Sequence, residues 1–197
     1  MSFAWVEEFE VRVAEFYNAP HAVAVDCCTH AIELCLRHTE ADDIVIPART
    51  YISVPFTAEK LNLNWSFDNF GWNDYYLIGN TNIVDAAVYW EEDGYIANTL
   101  MCLSFQYQKH LSLGRGGMIL TDSYEDAVKL KKMSYDGRLP HVPWRDQDID
   151  TVGYHYYMTP ETAKLGIEKL EKAKAMKPRS WTIQDWPDLR NMSVFKG

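Results

Sequence analysis

No stretch of this chain stays apolar for the roughly 18 residues that a membrane-spanning helix needs, so none is expected to cross a bilayer. Basic residues are outnumbered: 19 Lys and Arg stand against 28 Asp and Glu, a net charge of −9. A general nucleic-acid binder carries a basic patch, and this balance argues against nucleic acid as a partner. The opening residues Met1-Ser2-Phe3-Ala4-Trp5-Val6-Glu7-Glu8 lack the basic start and apolar middle of a signal peptide, so a cytoplasmic protein is expected. Cysteine is sparse. Cys27 and Cys28 are adjacent, a poor disulfide geometry, and with Cys35 and Cys102 they read as reduced, buried thiols in apolar surroundings. Cys27-Cys28-x-His30 has no second ligand pair at zinc spacing, so no metal is expected. Gly114-Arg115-Gly116-Gly117 does not fit G-x-G-x-x-G. Asp146-x-Asp148-x-Asp150 opens like an EF-hand loop, but glycine is missing at the sixth position and Tyr157 stands where the closing Glu belongs. A serine nucleophile elbow and H-E-x-x-H are both absent, as are internal repeats.

What is present supports a core. Apolar residues make up 47% and aromatics 14% of 197 residues, which suits one domain. Residues 1–176 read as its body and 177–197, with Pro178 and Pro187, as an irregular tail. Trp5, Phe9, Val13 and Phe16 recur at helical spacing over 5–17. His21–Val25 is a buried strand, and Thr29 opens a helix that ends near His38. Ile44–Pro47 is a strand, Tyr51–Leu61 a helix despite Pro55, and 63–67 another strand. Tyr75–Ile78, Ile83–Val84, Asn98–Phe105 and Met118–Thr121 follow as strands, and Ser123–Tyr135 as a helix. Residues 139–152 read as an ordered loop. Thr159 caps a helix running to Met176, with Pro160 and Glu161 in its first turn. Alternating strands and helices predict an α/β fold around a largely parallel sheet.

Chemistry concentrates around Lys109. Strand Cys102-Leu103-Ser104-Phe105 leads into a polar segment carrying this lysine, and a glycine cluster with a second apolar strand follows. A lysine placed there can be desolvated, which frees its amine to form an imine with an aldehyde. Pyridoxal 5'-phosphate (PLP) is an aldehyde cofactor suited to this. Asp85 follows directly after an apolar strand, at the carboxyl end of the sheet, where open α/β folds bind ligands. An acid there can keep a pyridine nitrogen protonated, although most such aspartates are ordinary loop residues. Cys28-Thr29-His30 lies between a strand and a helix, where free amides and the Thr29 hydroxyl make an anion site or a plain N-cap. Tyr51 can stack on a heterocycle or sit in the core. Ser104 can join the anion site or form a turn.

The order of these elements is similar to the DegT/DnrJ/EryC1/StrS family of PLP-dependent sugar aminotransferases. Cys28-Thr29-His30-Ala31-Ile32-Glu33-Leu34 falls on its Gly-Thr-Ala-Ala-Leu-type phosphate loop. Pro47-Ala48-Arg49-Thr50-Tyr51 falls on its Pro-x-x-Thr-aromatic segment, and Val84-Asp85-Ala86-Ala87 on its Glu-Asp-Ala-Ala. Ser104-Phe105-x-x-x-Lys109, Gly116-Gly117-Met118 and Gly153-Tyr154-His155-Tyr156-Tyr157-Met158 resemble further family motifs.

The resemblance implies a three-layer PLP-transferase (aspartate aminotransferase-like) large domain. The domain is expected to be reduced, with the small C-terminal domain largely missing, because family members are about twice this length. It implies that Lys109 holds PLP covalently and shuttles protons, and that Asp85 pairs with the ring nitrogen. Tyr51 stacks on the ring, while Thr29, the His30 amide and Ser104 hold the phosphate. The family moves an amino group, usually from glutamate, to a keto sugar on a nucleotide. Its members are homodimers, and His155 takes the place of an Asn that reaches into the partner's site. Departures are the short connection between Phe67 and Ile83, Cys28 for the loop glycine, and Val88 for a cofactor-side Gln or His. Two alternatives stay open: a sugar dehydratase of the same fold, against which Lys109 weighs, and a non-catalytic remnant that binds a partner or nucleotide sugar.

Overall fold

A computed structural model describes residues 2–196. Seven strands are found among these residues: β1 (His21–Val25), β2 (Asp43–Pro47), β3 (Asn64–Asp68), β4 (Tyr76–Leu77), β5 (Ile83–Asp85), β6 (Leu100–Ser104) and β7 (Gly117–Thr121). The helices are α1 (Ala4–Tyr17), α2 (Cys28–His38), α3 (Ser53–Leu61), α4 (Tyr124–Ser134) and α5 (Pro160–Lys174). The main sheet has the order β1-β7-β6-β5-β4, and β2 and β3 form a separate parallel pair. One antiparallel bridge joins the two, with the Gly79 amide donating to the Val45 carbonyl at 2.8 Å.

The expectation of a largely parallel sheet is corrected. In the main sheet only β5 and β6 are parallel; β1–β7, β6–β7 and β4–β5 run antiparallel. Loop content accounts for part of this, since β5 and β6 are parallel although no helix lies between them either. No helix lies between β6 and β7 or between β4 and β5, so each second strand returns beside the first. A helix does separate β2 from β3, and these two are parallel. The hairpin β4–β5 occupies the short connection noted between Phe67 and Ile83.

Strand alternation sorts the side chains into two cores. Met101 and Leu103 of β6, with Met118 and Leu120 of β7, face α1 and α5. Leu100 and Cys102 of β6, with Ile119 of β7, face α2, α3 and α4. Helices therefore cover both faces of the sheet in three layers. Sequence boundaries match within a few residues. Thr159 and Ser123 cap α5 and α4 through side-chain oxygens. Pro55 falls in the first turn of α3, where its missing N–H costs no helical bond. The tail is less irregular than expected: it carries three short 3-10 turns, one with a Thr182–Asp185 capping box.

The α1–α5 contact depends on close approach. A Cβ at Gly166 of α5 would lie 2.6 Å from the Phe9 ring of α1. Phe9 is fully buried and packs edge-on against Phe105 at 5.3 Å, so it has no space to yield. Gly166→Ala gains about 1 kcal/mol in helix propensity and loses roughly 1–3 kcal/mol to overpacking. We expect a net lower urea midpoint; an unchanged or higher one would show that Phe9 can move.

Candidate functional site

The site begins where β1 hands over to α2. Cys27 is the N-cap residue in extended conformation, and its carbonyl accepts the first closing bond, from the Ala31 amide at 3.0 Å. The preceding amides, Cys28 to His30, have no intrahelical partner by the geometry of a helix start, so they present partial positive charge. Gly117 of β7 lies against this turn: a Cβ there would fall 2.5 Å from the Cys27 carbonyl carbon and 2.6 Å from the Cys28 nitrogen. The glycine of Gly116-Gly117-Met118 is thus what lets α2 seat on the sheet.

Seven of the eight residues singled out in the sequence line one cavity of about 580 Å³: Cys28, Thr29, His30, Tyr51, Asp85, Ser104 and Lys109. Tyr51 stands at the rim, 53% exposed, with its ring edge toward Trp186. Thr29 and Ser53 share a hydroxyl hydrogen bond of 2.8 Å. Ser104 is placed at the cavity but also takes the turn role, accepting from the Gln106 amide at 3.5 Å. His155 is elsewhere. It faces outward, its side chain 70% exposed, and bonds Asp136 at 3.0 Å.

Asp85 lies at the buried end, 6% exposed. Its Oδ2 accepts from the Tyr76 hydroxyl at 2.7 Å and its Oδ1 from the Ala87 amide at 3.0 Å. Burial pushes its carboxyl above the usual range, opposed by those two bonds and by Lys109. The Lys109 side chain is half-buried in the 105–116 loop, and its Nζ makes no hydrogen bond or ion pair among the described residues. The nitrogen lies 5.9 Å from the Trp181 ring and 6.0 Å from the Trp186 ring. Burial lowers its pKa from the ordinary lysine value, with Cys28 and Asp85 pulling the other way.

The other end of the cavity is built for negative charge. Burial pulls the His30 pKa down, but hydrogen bonds to Asp26 (2.6 Å) and to Cys27 outweigh it and raise it to about 9. The His30 ring stacks on Tyr156 at 3.6 Å. Arg115 also reaches this end and donates to Asp26 at 2.8 Å. Asp26, Cys27 and His30 offer donor atoms within 4.8 Å of one another, a grouping that could suit a metal ion. Arg115, His30 and the helix start put positive charge there, which favours an anion over a cation. Cys27 also corrects one expectation: Cys28, Cys35 and Cys102 are buried, but Cys27 is partly exposed beside Arg115.

Several lining residues were not singled out in the sequence. Thr50 and Tyr76 are joined at 2.6 Å behind Asp85. The tail supplies Trp186, and it is pinned there. The Trp181 amide donates to Asp74 at 2.7 Å, Arg49 to the Trp186 carbonyl at 2.8 Å, and the Leu189 amide to the Ala48 carbonyl at 2.8 Å. A second cavity of about 550 Å³ opens on the tail side of Lys109, between His110 and Trp181. Lys109, Ser104 and Trp186 line both cavities.

The profile of the DegT/DnrJ/EryC1/StrS aminotransferase family matches residues 3–75 and 91–185. The chain belongs to this family. Among curated relatives, the spore coat polysaccharide biosynthesis protein SpsC of Bacillus subtilis is 23% identical, over 88% of this chain and 58% of that protein. Among solved structures, Spr1654 from Streptococcus pneumoniae, determined in PLP and PMP forms, superposes with a TM-score of 0.71 at 18% identity, over 87% of this chain and 60% of that one. DesI, solved in the presence of its TDP-sugar product, gives 0.70 at 18% identity, over 87% of this chain and 54% of that one. The chain therefore spans between 54% and 60% of the length of these three. These likenesses carry the three-layer PLP-transferase fold. Residues 76–90, with Asp85, lie outside the matched family segments.

The cavity fits PLP on this chain's own geometry. An unpartnered half-buried amine, a buried carboxylate and an anion-binding helix start surround one volume within the range of small-ligand sites. No helix among the described residues is long and apolar enough to cross a membrane.

Two outcomes are expected. Acylation of Lys109 by an amine-directed reagent, followed by peptide mass mapping, should rise with pH at an inflection below the ordinary lysine range; an ordinary inflection would contradict its desolvation. The His30–Asp26 pairing should stabilise the fold fully below the unfolded histidine value of 6.5 and fade as pH rises through about 9. Urea midpoints of the parent and His30→Gln should therefore differ most in the acid range and converge above about pH 9; a gap that persists there would refute the assignment.

Proposed function

We propose that this chain is a PLP-dependent aminotransferase that moves an amino group from an amino acid, glutamate by family expectation, to a keto sugar carried on a nucleotide. The observation that carries the reading is the facing of Lys109 and Asp85 across one cavity whose far end is an anion site. PLP, when bound, supplies an electron sink for the carbon that gains or loses nitrogen.

The residues divide the work by position. The Cys28, Thr29 and His30 amides, the Thr29 hydroxyl and the His30 cation bind the phosphate, with Ser104 as a further hydroxyl. Asp85, buried at the end of β5, would hold a proton on the ring nitrogen, its charged form supported by the Tyr76 hydroxyl, the Ala87 amide and Lys109. Tyr51, at the rim, would flank the ring. Lys109 Nζ would hold the cofactor's aldehyde end and, as a free amine beside the reacting carbon, would take up and return a proton there. Its lowered pKa leaves more of the amine unprotonated for both tasks. Trp181 and Trp186 screen it from bulk water. The outward placement of His155 suits a residue that serves a second copy's cavity in a homodimer. Residues 1–197 are taken as one domain whose tail completes the site.

A sugar acceptor accords with the polysaccharide biosynthesis for which SpsC is named, and a nucleotide-linked one with the TDP-sugar product of DesI, each a property of that protein. Retention of a lysine at 109 favours amino transfer over the dehydratase alternative.

The test is borohydride reduction of the purified protein with added PLP, followed by peptide mapping. A pyridoxyl group on Lys109, lost in Lys109→Ala together with conversion of PLP to PMP by glutamate, is the expected result. Absence of any trapped group in the parent would favour a binding remnant.

A further inference from the structure

We propose that Tyr76 is a positioning residue for Asp85, its hydroxyl fixing the carboxylate so that the remaining lone pairs point to the cofactor side of the cavity. The proposal rests on reading the cavity as a PLP site. Tyr76 belongs to β4, in the segment outside the matched family motifs, so its role has to be argued from its own surroundings.

Register places it there. β4 pairs with β5 so that Tyr76 stands directly opposite Asp85, and opposite residues of an antiparallel pair share a face of the sheet. The phenol therefore meets the carboxylate, at 2.7 Å. A carboxylate only accepts, so the phenol donates, and its oxygen is left to accept from the Thr50 hydroxyl at 2.6 Å. Thr50 and Tyr76 are 2% and 4% exposed. The Tyr76 ring is wedged against Trp72 at 5.2 Å, and Trp72 is anchored to the Arg49 carbonyl at 2.9 Å. The phenol has one orientation available, and it is aimed at Asp85.

The energetic case follows from burial. A buried carboxylate tends to take up a proton unless donors stabilise its charge. Asp85 has two donors, Tyr76 and the Ala87 amide, and one nearby cation, Lys109. The other titratable groups that face it are the thiols of Cys28 and Cys102, both buried and protonated. Tyr76 itself stays protonated, because burial and Asp85 both push its pKa up. Removing the phenol's proton donor leaves Asp85 with one hydrogen bond, favours its neutral form, and weakens its hold on a ring nitrogen.

The experiment is a set of PLP dissociation constants across pH for the parent, Tyr76→Phe, Asp85→Asn and the double variant. Tyr76→Phe should weaken PLP about tenfold near neutral pH, the loss expected for one hydrogen bond to a charged group, and its acid-side loss of binding should begin at higher pH. On the Asp85→Asn background the same change should have no further effect. Equal affinity and pH profile in Tyr76→Phe, or an undiminished loss on the Asp85→Asn background, would overturn the proposal while leaving the PLP site standing. A parent that takes up no PLP would overturn both. If Tyr76→Phe fails to fold by circular dichroism, Thr50→Val decides instead: a smaller shift in the same direction is expected, and no shift counts against the role.

Discussion

The layout of the molecule depends on one contact between backbones. Gly117 at the start of β7 lies so near Cys27 and Cys28 that no side chain fits between them. That contact seats the start of α2 at the end of the sheet. It also fixes β6 beside the same edge, because Ser104 pairs with Gly117 in register. The loop that leaves β6 then has a defined origin, and Lys109 sits on that loop. Anion end, strand-end hydroxyl and amine are thus referenced to a single point in the backbone.

Most of the fold could be read from the chain. Helix α1 showed in the spacing of Trp5, Phe9, Val13 and Phe16, and α5 in Thr159 and Pro160. Strand direction could not be read in the same way. Hydrophobic alternation reports which face a residue occupies and is silent on whether its neighbour runs with it or against it. The absence of a helix between β6 and β7 permits an antiparallel return but does not dictate it, because the helix-free connection from β5 to β6 ends in a parallel pair.

The site was legible where chemistry is rare and hidden where it is common. A Thr at a helix start, an acid after an apolar strand and a lysine after another are unusual enough, in that order along the chain, to single out seven lining residues. Tyr76 was one aromatic in a two-residue strand, and its importance comes from a cross-strand register that only folding reveals. Trp186 belonged to a proline-bearing tail with no periodicity. What brings it to Lys109 is a handful of hydrogen bonds between the tail's backbone and the Asp74 and Arg49 side chains and the Ala48 carbonyl, residues more than a hundred positions away. Such distant pairing leaves no local trace in sequence. His155, chosen by resemblance, points to solvent and lines neither cavity.

The sharing of Lys109 between two cavities has a geometric consequence. The same side chain, with Ser104 and Trp186, forms part of both walls. A shift of Lys109 that widens the sheet-side chamber therefore reshapes the one on the tail side, so the two volumes are not independent of one another.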